Sequence, residues 1–169
     1  IVLVAVVYQQ INYVRNKNLG YDKENVVYID IEGKVKGNLE TFLNEVKNVS
    51  GVVNASTASE SMIGDGNTSH IEWEGKDPET SILFQTIPVE YDFVETIGAT
   101  LKEGRDFSPA FSNDSLNFVI NETAAKVMGM DNPIGQALSY GDMKGQIVGL
   151  ANDFHVGSFR TGQDPVIMY

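Results

Sequence analysis

The stretch Val26–Ala58, "VVYIDIEGKVKGNLETFLNEVKNVSGVVNASTA", decides how the fold is read. Its first six residues are apolar at 27, 29 and 31, the period of a strand. A loop with glycines at 33 and 37 follows. Asn38 is a good helix N-cap residue, and Glu40 sits in the first turn, where the helix dipole favours an acid. Leu39, Phe42, Leu43 and Val46 then form one helical stripe, and Gly51 is placed to close the helix. Val52–Ala58 reads as a second strand. Strand, helix and strand joined by short loops make a βαβ unit, whose two strands run parallel.

Upstream, Ile1–Val7 ("IVLVAVV") is apolar on every face. It lacks the basic start and small-residue cleavage site of a signal peptide. A spanning helix needs roughly 20 apolar residues, so this run is too short alone. Val4, Tyr8, Ile11 and Val14 continue it at helical spacing, and Tyr8, Tyr13 and Arg15 suit a membrane interface. Two readings stand: the last turns of a spanning helix running into an amphipathic stem, or a buried N-terminal helix of a soluble domain. Leu19-Gly20-Tyr21-Asp22 ends the stem.

Downstream, Ser59–Ser69 is a polar loop and the first candidate boundary between lobes. Strands are expected at Ile71–Glu74, at Ile82–Val89 (broken by Pro88, hence an edge or an end), and at Phe118–Ile120. Further strands are expected at Gln136–Tyr140 and Gln146–Ala151, joined across Gly141-Asp142, and from Pro165 to Tyr169. Asp92 is placed to cap a short helix carrying Phe93, Val94 and Ile97. Asn121 is placed to cap a helix over Glu122–Met128 that Gly129 stops. Phe107–Leu116 reads as irregular. One βαβ unit followed by a strand-rich region with two short helices is an α+β pattern.

Composition narrows the function. The chain has 169 residues, 42% hydrophobic and 21% charged, which is ordinary for a folded protein. Its net charge of −11 disfavours nucleic acid and anionic lipid headgroups. With no cysteine, disulfides, thiolate metal sites and cysteine nucleophiles are excluded.

Candidate chemistry is sparse. Asp65-x-Asn67-x-Ser69 resembles the start of a calcium loop, but His70 replaces the required glycine and Lys76 the closing glutamate. His70, Glu72 and Glu74 share one face of a strand and could ligate a metal, although a solvated face is the favoured reading. Ser56, Ser59 and Ser61 with Asp153 and His155 contain the ingredients of a triad, without the sequence context of a nucleophile elbow. No phosphate-binding glycine loop is present. Arg105-Asp106 reads as an internal ion pair. In Asn152-Asp153-Phe154-His155, the aspartate and asparagine are turn formers after a strand, and His155 is read as a turn residue. No catalytic, cofactor-binding or metal-ligating residue is therefore assigned, and no enzyme activity or cofactor is expected.

Taken in order, several pieces resemble one family. They are Gln10–Val26; Phe42-Leu-Asn-Glu-Val46 before Gly51-Val-Val53; Trp73-Glu-Gly75; Val89-x-Tyr-Asp-Phe-Val-Glu-Thr-Ile-Gly98; and Leu101-Lys-Glu-Gly-Arg-Asp-Phe-Ser108. Ile120-Asn-Glu-Thr-Ala-Ala-Lys126, Asn132-Pro-Ile-Gly135 and Ile147–His155 complete the series. The chain is similar to the MacB-like periplasmic core domain of FtsX-type ABC transporter permeases. That resemblance implies a stem and transmembrane tail over 1–20 and the first βαβ unit of a porter-like lobe over 21–60. It also implies an inserted strand-rich lobe over 61–160 and the start of a second porter-like unit over 161–169. In a split βαβ sheet, Val166–Tyr169 is expected between Val26–Ile31 and Val52–Ala58, antiparallel to both. The remainder of the second unit and three membrane helices are expected past Tyr169.

The implied partners are a cytoplasmic ATPase subunit or domain, a second permease copy, and a periplasmic adaptor or substrate protein. The implied location is the inner membrane, with this domain in the periplasm. The competing class is an extracytoplasmic sensor domain, with Trp73, Phe84 and Phe154 as candidate pocket walls.

Overall fold

Apolar runs at Phe118–Ile120 and Val166–Met168, buried at every residue, form the centre of the sheet that organises the protein. The computed structural model describes residues 4, 6–9, 19–22, 24–59, 66–156 and 163–169. Among them the strands are β1 (Thr68–Ser69), β2 (Glu72–Trp73), β3 (Phe84–Ile87), β4 (Leu101–Gly104), β5 (Phe118–Asn121), β6 (Ala137–Tyr140), β7 (Met143–Ala151) and β8 (Val166–Met168). The helices are α1 (Leu39–Lys47), α2 (Phe93–Thr96) and α3 (Glu122–Met128). The sheet order is β1-β3-β8-β5-β7-β6-β2. β3 with β8 and β5 with β7 are parallel, and the other pairs are antiparallel. The long β7 changes partners along its length: β6 takes 143–146, while β5 runs beside 147–151 and β4 beside 149–151. The fold class is α+β, as the sequence pattern implies.

Both faces of the sheet are buried at its centre, along β5, β8 and the second half of β7. Phe118, Ile120 and Ile167 point to one cluster, which α3 closes with Ala124, Ala125 and Met128. Val119, Val166 and Met168 point to the other, covered by Phe93, Val94 and Ile97 from α2 and its C-terminal end, and by Phe154. Helix α3 starts where expected: the Asn121 side chain accepts from Ala124 N–H, and left-handed Gly129 ends it. The β6–β7 hairpin turns on Gly141-Asp142, with Tyr140 opposite Met143. Two strands had weaker signals. β1 lies inside what reads as a loop, and β4 precedes the irregular Phe107–Leu116 stretch. Strand β3 stops before Pro88 but is internal, between β1 and β8, rather than an edge.

The βαβ expectation is corrected in part. Helix α1 forms, but Val26–Ile31 and Val52–Ala58 form no strand, apart from one bridge of Ala58 to Val89. Val27 and Val53 are 86% and 97% exposed. Val166–Met168 does not insert between them. It is held between β3 and β5, with Val166, Ile167 and Met168 each fully buried. The physical reason is competition. A strand apolar on both faces gains more in the centre of a two-faced core than in an isolated three-stranded lobe with one covered face. The 60/61 and 160/161 boundaries fall at 60–65 and 157–162, outside the described residues, as does most of the Ser59–Ser69 loop.

At the N-terminus, Val4 and Val6–Gln9 are helical, and Val4, Val6, Val7 and Tyr8 are exposed. The remainder of the stem, residues 10–18, lies outside the described residues. Among the described residues no helix is long and apolar enough to cross a membrane.

Candidate functional site

Parts of three of the pieces quoted for the family resemblance, from Gln10–Val26, Val89–Gly98 and Ile147–His155, come together around the segment Pro88–Gly98. This segment enters from β3, contains α2, and leads towards β4. α2 is short, yet firmly held. Asp106 Oδ2 accepts from the N–H groups of Val94 (2.9 Å) and Glu95 (3.3 Å), and its Oδ1 accepts from Phe107 N–H (2.8 Å). A residue distant in sequence thus caps the helix. Burial pushes the Asp106 carboxyl up, against the pull of those donors.

Asp92 stands at the expected cap position but does not cap α2 with its side chain. Its backbone is left-handed (φ 60°), and it is the one non-glycine residue with positive φ among the described residues. For an aspartate this conformation costs on the order of 1 kcal/mol. Its carboxylate instead turns to Lys47 of α1 (3.0 Å).

One end of the segment receives the first unit. Ser59 N–H donates to Pro88 O (2.9 Å), and Glu90 N–H donates to Thr57 O (2.9 Å). The Ser56 hydroxyl donates to Tyr91 O (2.8 Å). The other end receives the stem. Asp22 N–H donates to Ile97 O (2.9 Å), and His155 N–H donates to Leu19 O (2.7 Å). Tyr21 packs against the Phe154 side of the core, and burial pushes its phenol up. Two glycines permit this approach. A Cβ on Gly20 (φ +77°) would lie 2.3 Å from Asp153 O, and one on Gly98 (φ +67°) would lie 3.0 Å from Asp22 Cβ. Both positions have a left-handed backbone; Gly20 has no room for a side chain, and at Gly98 one would press tightly on Asp22.

The other candidates are placed elsewhere. Asp153 accepts from both Thr123 N–H and the Thr123 hydroxyl (2.8 Å each), so it holds the start of α3. His155 is buried beside the stem junction. Ser56 is engaged with Glu90 and Tyr91, and Ser59 with Pro88; Ser61 lies outside the described residues. The Ser56 hydroxyl and the Asp153 carboxylate are thus committed to different neighbours. His70, Glu72 and Glu74 are exposed, and Glu72 pairs with Lys76 (2.6 Å). Among the described residues no three His, Asp or Glu side chains gather as metal ligands. Asp65 lies outside the described residues, Asn67 O accepts from Thr86 N–H, and Ser69 is within 3.4 Å of Tyr140 Oη.

Trp73 and Phe84 meet edge to face (5.8 Å) in one core cluster, while Phe154 belongs to the other, so the three do not line one pocket. Arg105 does not pair with the Asp106 carboxylate. Its guanidinium makes a two-pronged contact with Asp114 (2.5 and 2.7 Å) and lies 3.6 Å over the Phe111 ring. Remote capping by Asp106 and the Asp114 clamp left no local sequence signal.

No family model matches the chain, and no curated protein matches it. Solved structures similar to it include a domain of a putative permease from Porphyromonas gingivalis, at 22% identity over 75% of this chain and 55% of that one, with a TM-score of 0.49. The periplasmic region of MacB from Actinobacillus actinomycetemcomitans is 19% identical over 76% of this chain and 62% of that one, with a TM-score of 0.48. The extracellular domain of the noncanonic ABC-type transporter YknZ from Gram-positive bacteria is 17% identical over 83% of this chain and 68% of that one, with a TM-score of 0.47. The chain thus spans little more than half the length of the first of these domains.

Proposed function

We propose that this chain is the extracytoplasmic part of an ABC transporter permease, and that it passes ATP-driven motion of a membrane helix to a periplasmic substrate or partner protein. The observation that carries this reading is the junction. The end of the stem is docked by backbone hydrogen bonds and two side-chain-free approaches onto the strand-rich lobe, at Ile97-Gly98 and Asp153–His155. Parts of three of the pieces quoted for the family resemblance meet there: Leu19–Asp22 of Gln10–Val26, the end of Val89–Gly98, and the end of Ile147–His155. A lever needs a stiff attachment rather than a reaction centre, and rigid-body transmission is an established mode of switching.

On this reading the transporter acts from the inner membrane with a cytoplasmic ATPase subunit or domain. A second permease copy completes a dimer, and a periplasmic adaptor or substrate protein is the recipient of the motion. The porter-like lobe is completed when further strands pair with Val26–Ile31 and Val52–Ala58, where Val27, Tyr28, Ile29 and Val53 are exposed. No enzyme activity belongs to this domain.

The test uses the full gene product in its own membrane. These 169 residues hold no cysteine, so Val53→Cys, at an exposed site, reports topology as labelling by a membrane-impermeant maleimide above that of the parent gene product. Labelling of intact spheroplasts and co-purification of a nucleotide-hydrolysing subunit are expected. Labelling only after lysis, or a gene product with one further span leading into a signalling segment, would refute the proposal.

A further inference from the structure

We infer that Pro88–Gly98 is a coupling bar, which ties the position of the stem to the position of the first unit. This rests on the proposed transmission role for its use, but the coupling itself is a property of the chain alone. The two attachments occupy opposite ends of the segment. Pro88–Asp92 holds Lys47, Ser56, Thr57 and Ser59, and Ile97-Gly98 holds Asp22.

Between them the segment cannot easily bend. Phe93, Val94 and Ile97 are buried, Asp106 fixes the first turn of α2, and the Thr96 hydroxyl donates to Asp92 O (2.7 Å). Asp92 is the elbow. Its left-handed backbone starts α2 while its side chain reaches out of the lobe to α1. A relaxed alternative at 92 would let that carboxylate cap its own helix, as aspartate commonly does. Here Asp106 already occupies that role, and the Asp92 charge is left to address Lys47. A displacement of the stem that shifts Ile97-Gly98 therefore carries Asp92 and the first unit with it. The reverse holds by linkage, since coupling between two attachments is reciprocal.

Amide hydrogen exchange on the 169-residue chain tests this. Gly98→Val loosens the stem end, because its side chain meets Asp22 at a left-handed position. The paired change Lys47→Ala with Ser56→Ala loosens the unit end at the surface. Gly98→Val is expected to raise exchange at the Ser59 and Glu90 amides about fivefold or more, the lower bound of a typical coupling. The paired variant is expected to raise exchange at the Asp22 and His155 amides by a similar factor. In both, the Ile120 amide in central β5 should be unchanged. Effects confined to the mutated end, or an equal rise at Ile120, would overturn the inference. If Gly98→Val does not fold, the paired surface variant decides by the same criterion at Asp22 and His155. A negative result leaves the permease proposal standing, and failure of the topology test leaves this coupling standing.

Discussion

Replacing Asp114 by alanine should remove the clamp that shapes the 105–117 loop. The Asp114 side chain is fully buried, whereas that of Arg105 is 31% exposed. Asp114 accepts four hydrogen bonds: two from Arg105 (2.5 and 2.7 Å), one from Ser108 N–H (2.9 Å) and one from Asn117 Nδ2 (3.1 Å). Removing one partner of a buried pair costs about 3–5 kcal/mol when the other charge is stranded. Arg105 keeps water on about a third of its surface and stays stacked on Phe111, so its stranding is partial. The Ser108 and Asn117 donors add about 1 kcal/mol each. We expect a net loss of about 3 kcal/mol.

Trp73 is the single tryptophan and is packed against Phe84, so its fluorescence can follow urea unfolding. With a slope of about 2 kcal/mol per molar urea, the midpoint should fall by about 1.5 M. The pH dependence has a definite sign. The Arg105 guanidinium beside Asp114 holds its carboxyl below the usual carboxylate range. That contribution is present above the unfolded value, about 3.9, and is lost as pH falls through the lowered folded value. The variant should therefore lose less stability than the parent on acidification below pH 4. A midpoint shift under about 0.5 M, with an unchanged acid limb, would show that the clamp is solvated and contributes little.

Asn121→Ala should cost about 3 kcal/mol by urea titration. It strands the Ala124 and Val166 N–H groups and the Asp164 carbonyl, all bonded to one buried side chain. Asp106 acts with the opposite sign to Asp114: burial raises its carboxyl, so the folded state holds the proton more tightly and stability falls as pH rises from about 3.9 through the raised value. Asp106→Asn should flatten that fall in thermal midpoints measured between pH 3.5 and 6. Deleting Ile1–Tyr8 should cost less than about 1 kcal/mol and raise solubility, since Val4, Val6, Val7 and Tyr8 are exposed; a loss of several kcal/mol would mark a buried helix.

Local signals were legible where one residue does one nearby job. Asn121 caps the helix that starts beside it, Gly141-Asp142 turns a hairpin, and Gly98 ends α2. The signals failed where a side chain chose a distant partner. Arg105 bypasses its neighbour Asp106 for Asp114, nine residues away, because Asp106 is already bound to the amides of α2. Asp92 sits at the cap position its sequence announces, but the cap comes from Asp106. The junction was half legible. Its pieces stood out in sequence as a family-like series, but nothing local says that Leu19 meets His155 or that Asp22 meets Ile97, because backbone hydrogen bonds make those contacts.

The fate of the βαβ unit follows from competition for strand edges. Val26–Ile31 has the period of a strand, but a period only says which face would be buried if a partner were present. In a split arrangement the two strands of the unit are not neighbours, so neither can satisfy the other. The segment expected between them, Val166–Met168, carries a different pattern: three successive apolar residues rather than alternation, the mark of a strand buried on both faces. Its burial between β3 and β5, with Ile167 in one cluster and Val166 and Met168 in the other, matches that pattern better than a half-covered lobe would. Among the described residues, the contacts of Lys47 and Ser56–Ser59 with Pro88–Asp92 hold the first unit to the lobe, and Val27, Tyr28, Ile29 and Val53 face outward.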